Sequence, residues 1–173
     1  VRDGETVGQH RKTFRRDGSL ETRAKVVNDA IVRLWKYGKK GKLRFDVAYR
    51  NDKRHGPEKY YDENGTLRRV VPYRDGVKEG VQKEYFANGK LHRELPWHRG
   101  KRHGVERLYT RGHQMIWEKP WRHGTLHGKV KSYWPKTGAL QSVEVYVDGK
   151  RQGEAKLFDV NGNPKPEDDN VGQ

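Results

Sequence analysis

Eight histidines, a lysine run and scattered glutamates are the residues of this chain that could do chemistry. Their spacing decides between metal binding, acid–base catalysis and anion capture. His55, His103 and His127 hold one position in a repeating pattern. If each repeat is two strands wide, they step about 10 Å apart. That is too far for two imidazoles to share a zinc that each must approach to about 2.0 Å. His98 with His103, or His123 with His127, can meet across a connector, but no carboxylate or third ligand accompanies them in register. They read as polar connector residues, and neither metal nor cofactor is expected. Glu58, Glu84 and Glu106 recur at similar positions and read as exposed strand residues. No Gly-x-Ser-x-Gly elbow is present. Cysteine is absent, so there is no disulfide framework, thiolate site or cysteine nucleophile. The expectation is a non-enzyme. Lys36-Tyr37-Gly38-Lys39-Lys40-Gly41-Lys42 could cradle phosphates, yet it lacks the Gly-Lys-Ser/Thr ending of a P-loop. It reads as a solvated hairpin turn.

The elements that would position these residues are set by glycine. Gly56, Gly80, Gly104 and Gly128 are 24 residues apart, and Gly76, Gly100 and Gly124 keep the same step. A third series, Gly41, Gly65, Gly89, Gly112, Gly138 and Gly162, drifts by a residue or two. A fixed period in this range marks a repeat architecture. Within a repeat, Leu43, Phe45, Val47 and Tyr49 alternate with period two, as do Leu91, Arg93, Leu95 and Trp97, which predicts strands. Asn88-Gly89 between two such runs predicts a tight hairpin tip with positive φ. Pro72, Pro96 and Pro120 precede aromatics and are expected at strand ends or edges, because proline donates nothing to a ladder. Residues 28–35 could compete as a short helix, but the register makes them a strand. The aromatic stripe Tyr49, Tyr73, Trp97, Trp121 and Tyr146 reads as the core ladder joining successive repeats. A stacking platform for bases or sugars is its alternative use.

Gly76-x3-Gly80, Tyr85-Phe86, Asn88-Gly89-Lys90-Leu91 and Trp97-x2-Gly100 together resemble the MORN repeat, in the variant found in YwqK-family antitoxins. The resemblance runs over roughly residues 4–163. It implies an all-β fold: an elongated meander of antiparallel β-hairpins in a twisted single-layer sheet. The repeats fall at 4–27, 28–51, 52–75, 76–99, 100–123, 124–148 and 149–163, in a repeat domain spanning 1–163. Residues 164–173 follow as an acidic polar tail that suits a cap, with Pro164 and Pro166 stopping the pairing. The same resemblance implies an antitoxin or immunity protein of a bacterium, occluding the active site of a cognate toxin. MORN-type repeats are also associated with phospholipid head groups, so an anionic lipid surface is the alternative partner. Nucleic acid ranks below both.

Only 31% of the 173 residues are hydrophobic and 35% are charged, a balance that on its own leans toward disorder. Stacked repeats need less core, because each packs mainly on its neighbours. No run of about 18 apolar residues exists to form a membrane-crossing helix. The chain begins at Val1; a signal peptide removed before it would place the protein in the periplasm, and otherwise in the cytoplasm. The net charge of +15 implies an acidic partner. Its distribution is uneven. The connectors RNDKRHG, RDGVKEG, HRGKRHG, RHGTLHG and VDGKRQG total +7, whereas the tips DENG, FANG, TRG, PKTG and DVNG total −1. In a meander these lie on opposite edges, so one edge is basic. The partner-binding candidates are therefore Arg54, His55, Arg99, Lys101, Arg102, His103, Arg122, His123 and Arg151, with Trp97 and Trp121 beside them.

Overall fold

The structure, a computed structural model, describes residues 8–166. Gly4 of the first repeat and the acidic Glu167-Asp168-Asp169 lie outside the described residues. No helix occurs among the described residues, and residues 28–35 contribute to a strand as expected. Two compact units divide the chain, Val1–Gly89 and Lys90–Gln173, and the division falls in a hairpin tip rather than at a repeat border.

The N-terminal unit holds β1 Gln9–Phe14, β2 Leu20–Val27, β3 Ala30–Tyr37, β4 Leu43–Arg50, the two-residue β5 Lys53–Arg54, β6 Gly56–Tyr61, β7 Leu67–Arg74, the two-residue β8 Val77–Lys78 and β9 Gly80–Tyr85. Each pairs antiparallel with the next long strand, and β5 and β8 extend the hairpins β4–β6 and β7–β9. The C-terminal unit repeats the scheme with β10 Leu91–His98, β11 Lys101–Arg102, β12 Gly104–Tyr109, β13 Met115–Arg122, β14 Thr125–Leu126, β15 Gly128–Tyr133, β16 Leu140–Val147 and β17 Lys150–Leu157. Its pairing is the same antiparallel meander.

The turn chemistry differs from the sequence expectation. The tips are not the turns with two positive φ angles. At Asp62–Thr66 only Gly65 has positive φ, 85°, and the register shifts between Tyr60 and Tyr61. That is a type I turn closed by a glycine bulge. In the tip at 110–114 the left-handed residue is His113, at 67°, so His113 rather than Gly112 continues the glycine series. The paired positive φ angles sit in the connectors instead: Asp75 at 50° with Gly76 at 87°, and His123 at 50° with Gly124 at 98°.

The prolines also sit elsewhere than expected. Pro72, Pro96 and Pro120 lie within β7, β10 and β13. Opposite them the partner strand breaks: Tyr73 pairs with Lys78 but Arg69 with Glu84, so two extra residues bulge out around Gly80. Gly80 has φ 103°, and a Cβ there would stand 3.4 Å from the Pro72 ring. The bulge removes the acceptor that a mid-strand N–H would need, which is why proline is tolerated. Pairing also continues past the last repeat, with Phe158 bridging Pro164 and Lys165 N donating to Leu157 O at 2.9 Å, so Pro164 does not stop it.

The apolar core is thin. Ala24, Val26, Val47, Val71 and Tyr73 are buried in the N-terminal unit, and Leu95 in the C-terminal unit. Buried polar groups complete it: Asp46, Glu58, Gln82 and Glu106.

Candidate partner-binding surface

Strand alternation puts the aromatic stripe on one face of each unit, and the structure interleaves it with arginine. In the N-terminal unit Tyr49 stands cross-strand from Arg54, whose guanidinium lies 4.3 Å from the Tyr73 ring centre. In the C-terminal unit Trp97 stands cross-strand from Arg102, which lies 4.6 Å from the Trp121 ring centre. Tyr146 faces Arg151 in the same way. The Arg54–Tyr73 and Arg102–Trp121 contacts are cation–π stacks. Of the basic-edge candidates, Arg54 and Arg102 therefore stack against the aromatic face.

A buried carboxylate explains the arrangement. Glu58 and Glu106 are 2% and 1% exposed, which overturns the reading of both as exposed strand residues. Glu58 accepts from Arg54 at 3.3 Å and from the Tyr60 hydroxyl at 2.5 Å. Burial, and then that bond, push the Tyr60 phenol up to about 12. Glu106 accepts from Trp121 Nε1 at 2.7 Å and from Arg93 Nε at 2.7 Å, with Arg93 Nη2 also bound. Arg102 stands 3.7 Å away. A buried carboxylate needs such partners, since its desolvation costs several kcal/mol. One sequence signal could have found both: Arg-x3-Glu recurs as Arg54–Glu58 and Arg102–Glu106, two repeats apart.

The histidines divide into two groups. His55 Nδ1 lies 3.2 Å from Asp75 Oδ1, and His127 Nδ1 lies 3.2 Å from Asp148 Oδ1, so carboxylates do accompany these two. His103 instead meets the tilted rings of His98 and His123, at centroid distances of 5.7 and 4.9 Å, while its Nδ1 accepts from His123 N at 3.5 Å as His55 and His127 accept from Asp75 N and Asp148 N. The meeting is thus His103 with His123, not His123 with His127. Among the described residues, no group of three or more histidines and carboxylates is arranged to hold a metal ion.

His123, alone of these histidines, lines a shallow depression of about 560 Å³ in the C-terminal unit. Trp97, Lys101, Arg102, Trp121, His123 and Thr125 line it with two turn glycines, and no carboxylate does. Lys101 and Arg122 are exposed. Arg99 occupies a left-handed turn position, φ 49°, as His123 does. Among non-glycine residues Asn, Asp and His adopt that conformation most often, so Arg99 is the unusual occupant. The neighbouring turns use Asp75 and Asp148 at the same place.

The profile of the MORN repeat variant family matches residues 54–75 and 78–98. These are two MORN-type repeats. No curated protein matches the chain. Trp97 of the depression lies in the second match, and the rest of its lining, from Gly100 to Thr125, follows that match. The tip side of the N-terminal unit carries a second basic depression, of about 490 Å³, at Arg15, Gly38, Lys39, Lys40, Lys42, Arg44 and Glu63. Not every tip is near neutral, therefore. Arg15 is already held there by Ser19 Oγ at 3.2 Å and Leu20 O at 2.9 Å.

Proposed function

We propose that this chain is a non-catalytic binding protein of the antitoxin or immunity type, which captures an acidic toxin and covers its active cleft. The contact surface is the connector depression of the C-terminal unit. The observation that carries this reading is the loss of the turn aspartate. Where the connector of the N-terminal unit has Asp75 to neutralise Arg50 and His55, the C-terminal unit has His123, and cations gather around two tryptophans. Tryptophan and arginine dominate the energetics of protein interfaces, and complementary charge speeds encounter.

The test starts from the protein's native host. The wild-type chain is expected to retain one stoichiometric protein at moderate salt and to inhibit its activity. Lys101→Glu with Arg122→Glu is expected to lose both effects. Arg102 is left intact, because it supports Glu106. Unchanged inhibition by the double variant, or retention only of nucleic acid that salt releases, sinks the reading.

Lys39, Lys40 and Lys42 favour a second reading, an anionic phospholipid surface met by the tip of the N-terminal unit. It ranks below the first because Arg15 is committed internally and Arg44 stands 4.0 Å from Glu63. Flotation with phosphatidylserine vesicles that shows no preference over neutral lipid removes it.

A further inference from the structure

The face of the C-terminal unit opposite the tryptophans carries its own row of charges, and the row changes character at its end. Glu94 and Glu118 occupy one repeat position. Arg107 Nε donates to Glu118 at 3.0 Å, and Arg107 Nη1 lies 4.0 Å from Glu94. The hydroxyls of Tyr109 and Tyr133 donate to Glu94 and Glu118 at 3.3 and 3.0 Å. Each carboxylate thus sits between a cation and a phenol from the next repeat.

In the following repeat the carboxylate becomes Val143 and the tyrosine becomes Phe158, while the cations remain. Val143 stands cross-strand from Lys131 on one side and Lys156 on the other. Val145 stands between Lys129 and Gln152. Together with Glu154 they line one depression of about 480 Å³. Val145 is 37% exposed. Among the described residues, Lys129, Lys131 and Lys156 make no ion pair, and Glu154 is the one acid in the lining. The result is an apolar centre flanked by lysine on both sides.

We propose that this face docks an amphipathic helical segment of a protein partner, one whose apolar ridge is flanked by carboxylates. The widths agree: the lysines on β15 and β17 are two strand spacings apart, about 10 Å, and a helix is about 10–12 Å across. The charges agree as well, because the partner supplies the carboxylate that Glu94 and Glu118 supply internally. A second copy of this face would bring lysine against lysine. The site is separate from the connector depression and stands without the antitoxin reading.

The probe is a fluorescein-labelled synthetic helix with leucines at i, i+3, i+4 and i+7 and glutamates on both flanks, titrated against the full chain by anisotropy. Saturable binding is expected, with shifts of the Val143 and Val145 methyl resonances and none of the Trp121 indole N–H. Val143→Glu restores the residue found at 94 and 118, so the variant is expected to fold as the wild type does. It should weaken binding at least about tenfold, as charge repulsion and internal pairing of Lys131 and Lys156 require. The same helix with lysine for glutamate should not bind. Binding that Val143→Glu leaves unchanged, absent binding, or shifts confined to Trp121 would each overturn the proposal. So would phosphatidylserine vesicles that bind the wild type as tightly and lose binding in Val143→Glu.

Discussion

The turn at Asp75 and the turn at His123 share a backbone and differ in charge. Both put their first residue at φ 50° before a glycine. Asp75 accepts from Arg50 at 3.1 Å and lies 3.2 Å from His55, so the connector of the N-terminal unit neutralises itself. The backbone N–H of each turn residue meets the histidine of the preceding connector, Asp75 with His55 and His123 with His103, but His123 has no carboxylate to offer. The difference teaches that a repeat can change the charge of its connector without altering its hairpins, because one turn residue is exchanged and the backbone stays.

The largest expected effect concerns what lies beneath the two turns. Glu106→Ala leaves Arg93 and Arg102 without their buried anion and is expected to cost about 3–5 kcal/mol. Glu58→Ala leaves chiefly Arg54, whose side chain is 44% exposed and can rehydrate. Its expected cost is about 1–3 kcal/mol. Urea unfolding followed by tryptophan fluorescence checks both, and equal losses would erase the distinction.

Next comes partner binding. Reversal of Lys101 and Arg122 is expected to weaken capture of the acidic partner about 10–100-fold. Lys53→Glu with Arg74→Glu, at the corresponding place in the N-terminal unit, is expected to change it less than about twofold, within the range of rim charges. Titration calorimetry at two salt concentrations reads both variants.

Exchange of the turn residues sharpens the difference further. His123→Asp is expected to raise stability by about 0.5–1 kcal/mol, since aspartate visits the left-handed region at lower cost. It should weaken partner binding at the same time. Asp75→His is expected to do the opposite to stability. A gain in both stability and binding from His123→Asp would refute a trade of turn strain for charge.

The smallest effect is at acid pH. The hydrogen bond from Arg50 holds the Asp75 carboxyl below its ordinary value of 3.8. A depressed folded-state value means the contribution is present above 3.8 and is lost as pH falls through the folded value. Carbon-13 titration of the Asp75 carboxyl should therefore show a midpoint below 3.8, returning toward it in Arg50→Ala. A midpoint at or above the ordinary value would contradict the self-neutralised turn.

Much of this was legible in the residues. The alternation in Leu43–Tyr49 and Leu91–Trp97 foretold β4 and β10, because period two needs only a half-buried strand. Of the residues the connector charge singled out, Lys101, Arg102 and His123 line one depression with Trp97 and Trp121, and Arg122 does not. The proline positions were misjudged, because the bulge opposite Pro72 belongs to a different strand. Glu58 and Glu106 were misjudged because alternation alone does not say which face is covered.

The sequence by itself determined the period and the antiparallel hairpins, both of which follow from local conformational preference and short-range spacing. Tertiary structure alone decided that Glu106 is sealed beneath Trp121, that His103 meets His123, and that Val143 stands between two lysines. The physical reason is that each of these contacts joins residues on neighbouring strands or connectors, 10 to 20 positions apart. Burial and pairing there depend on bulged register and on what the next repeat supplies, which no single strand encodes.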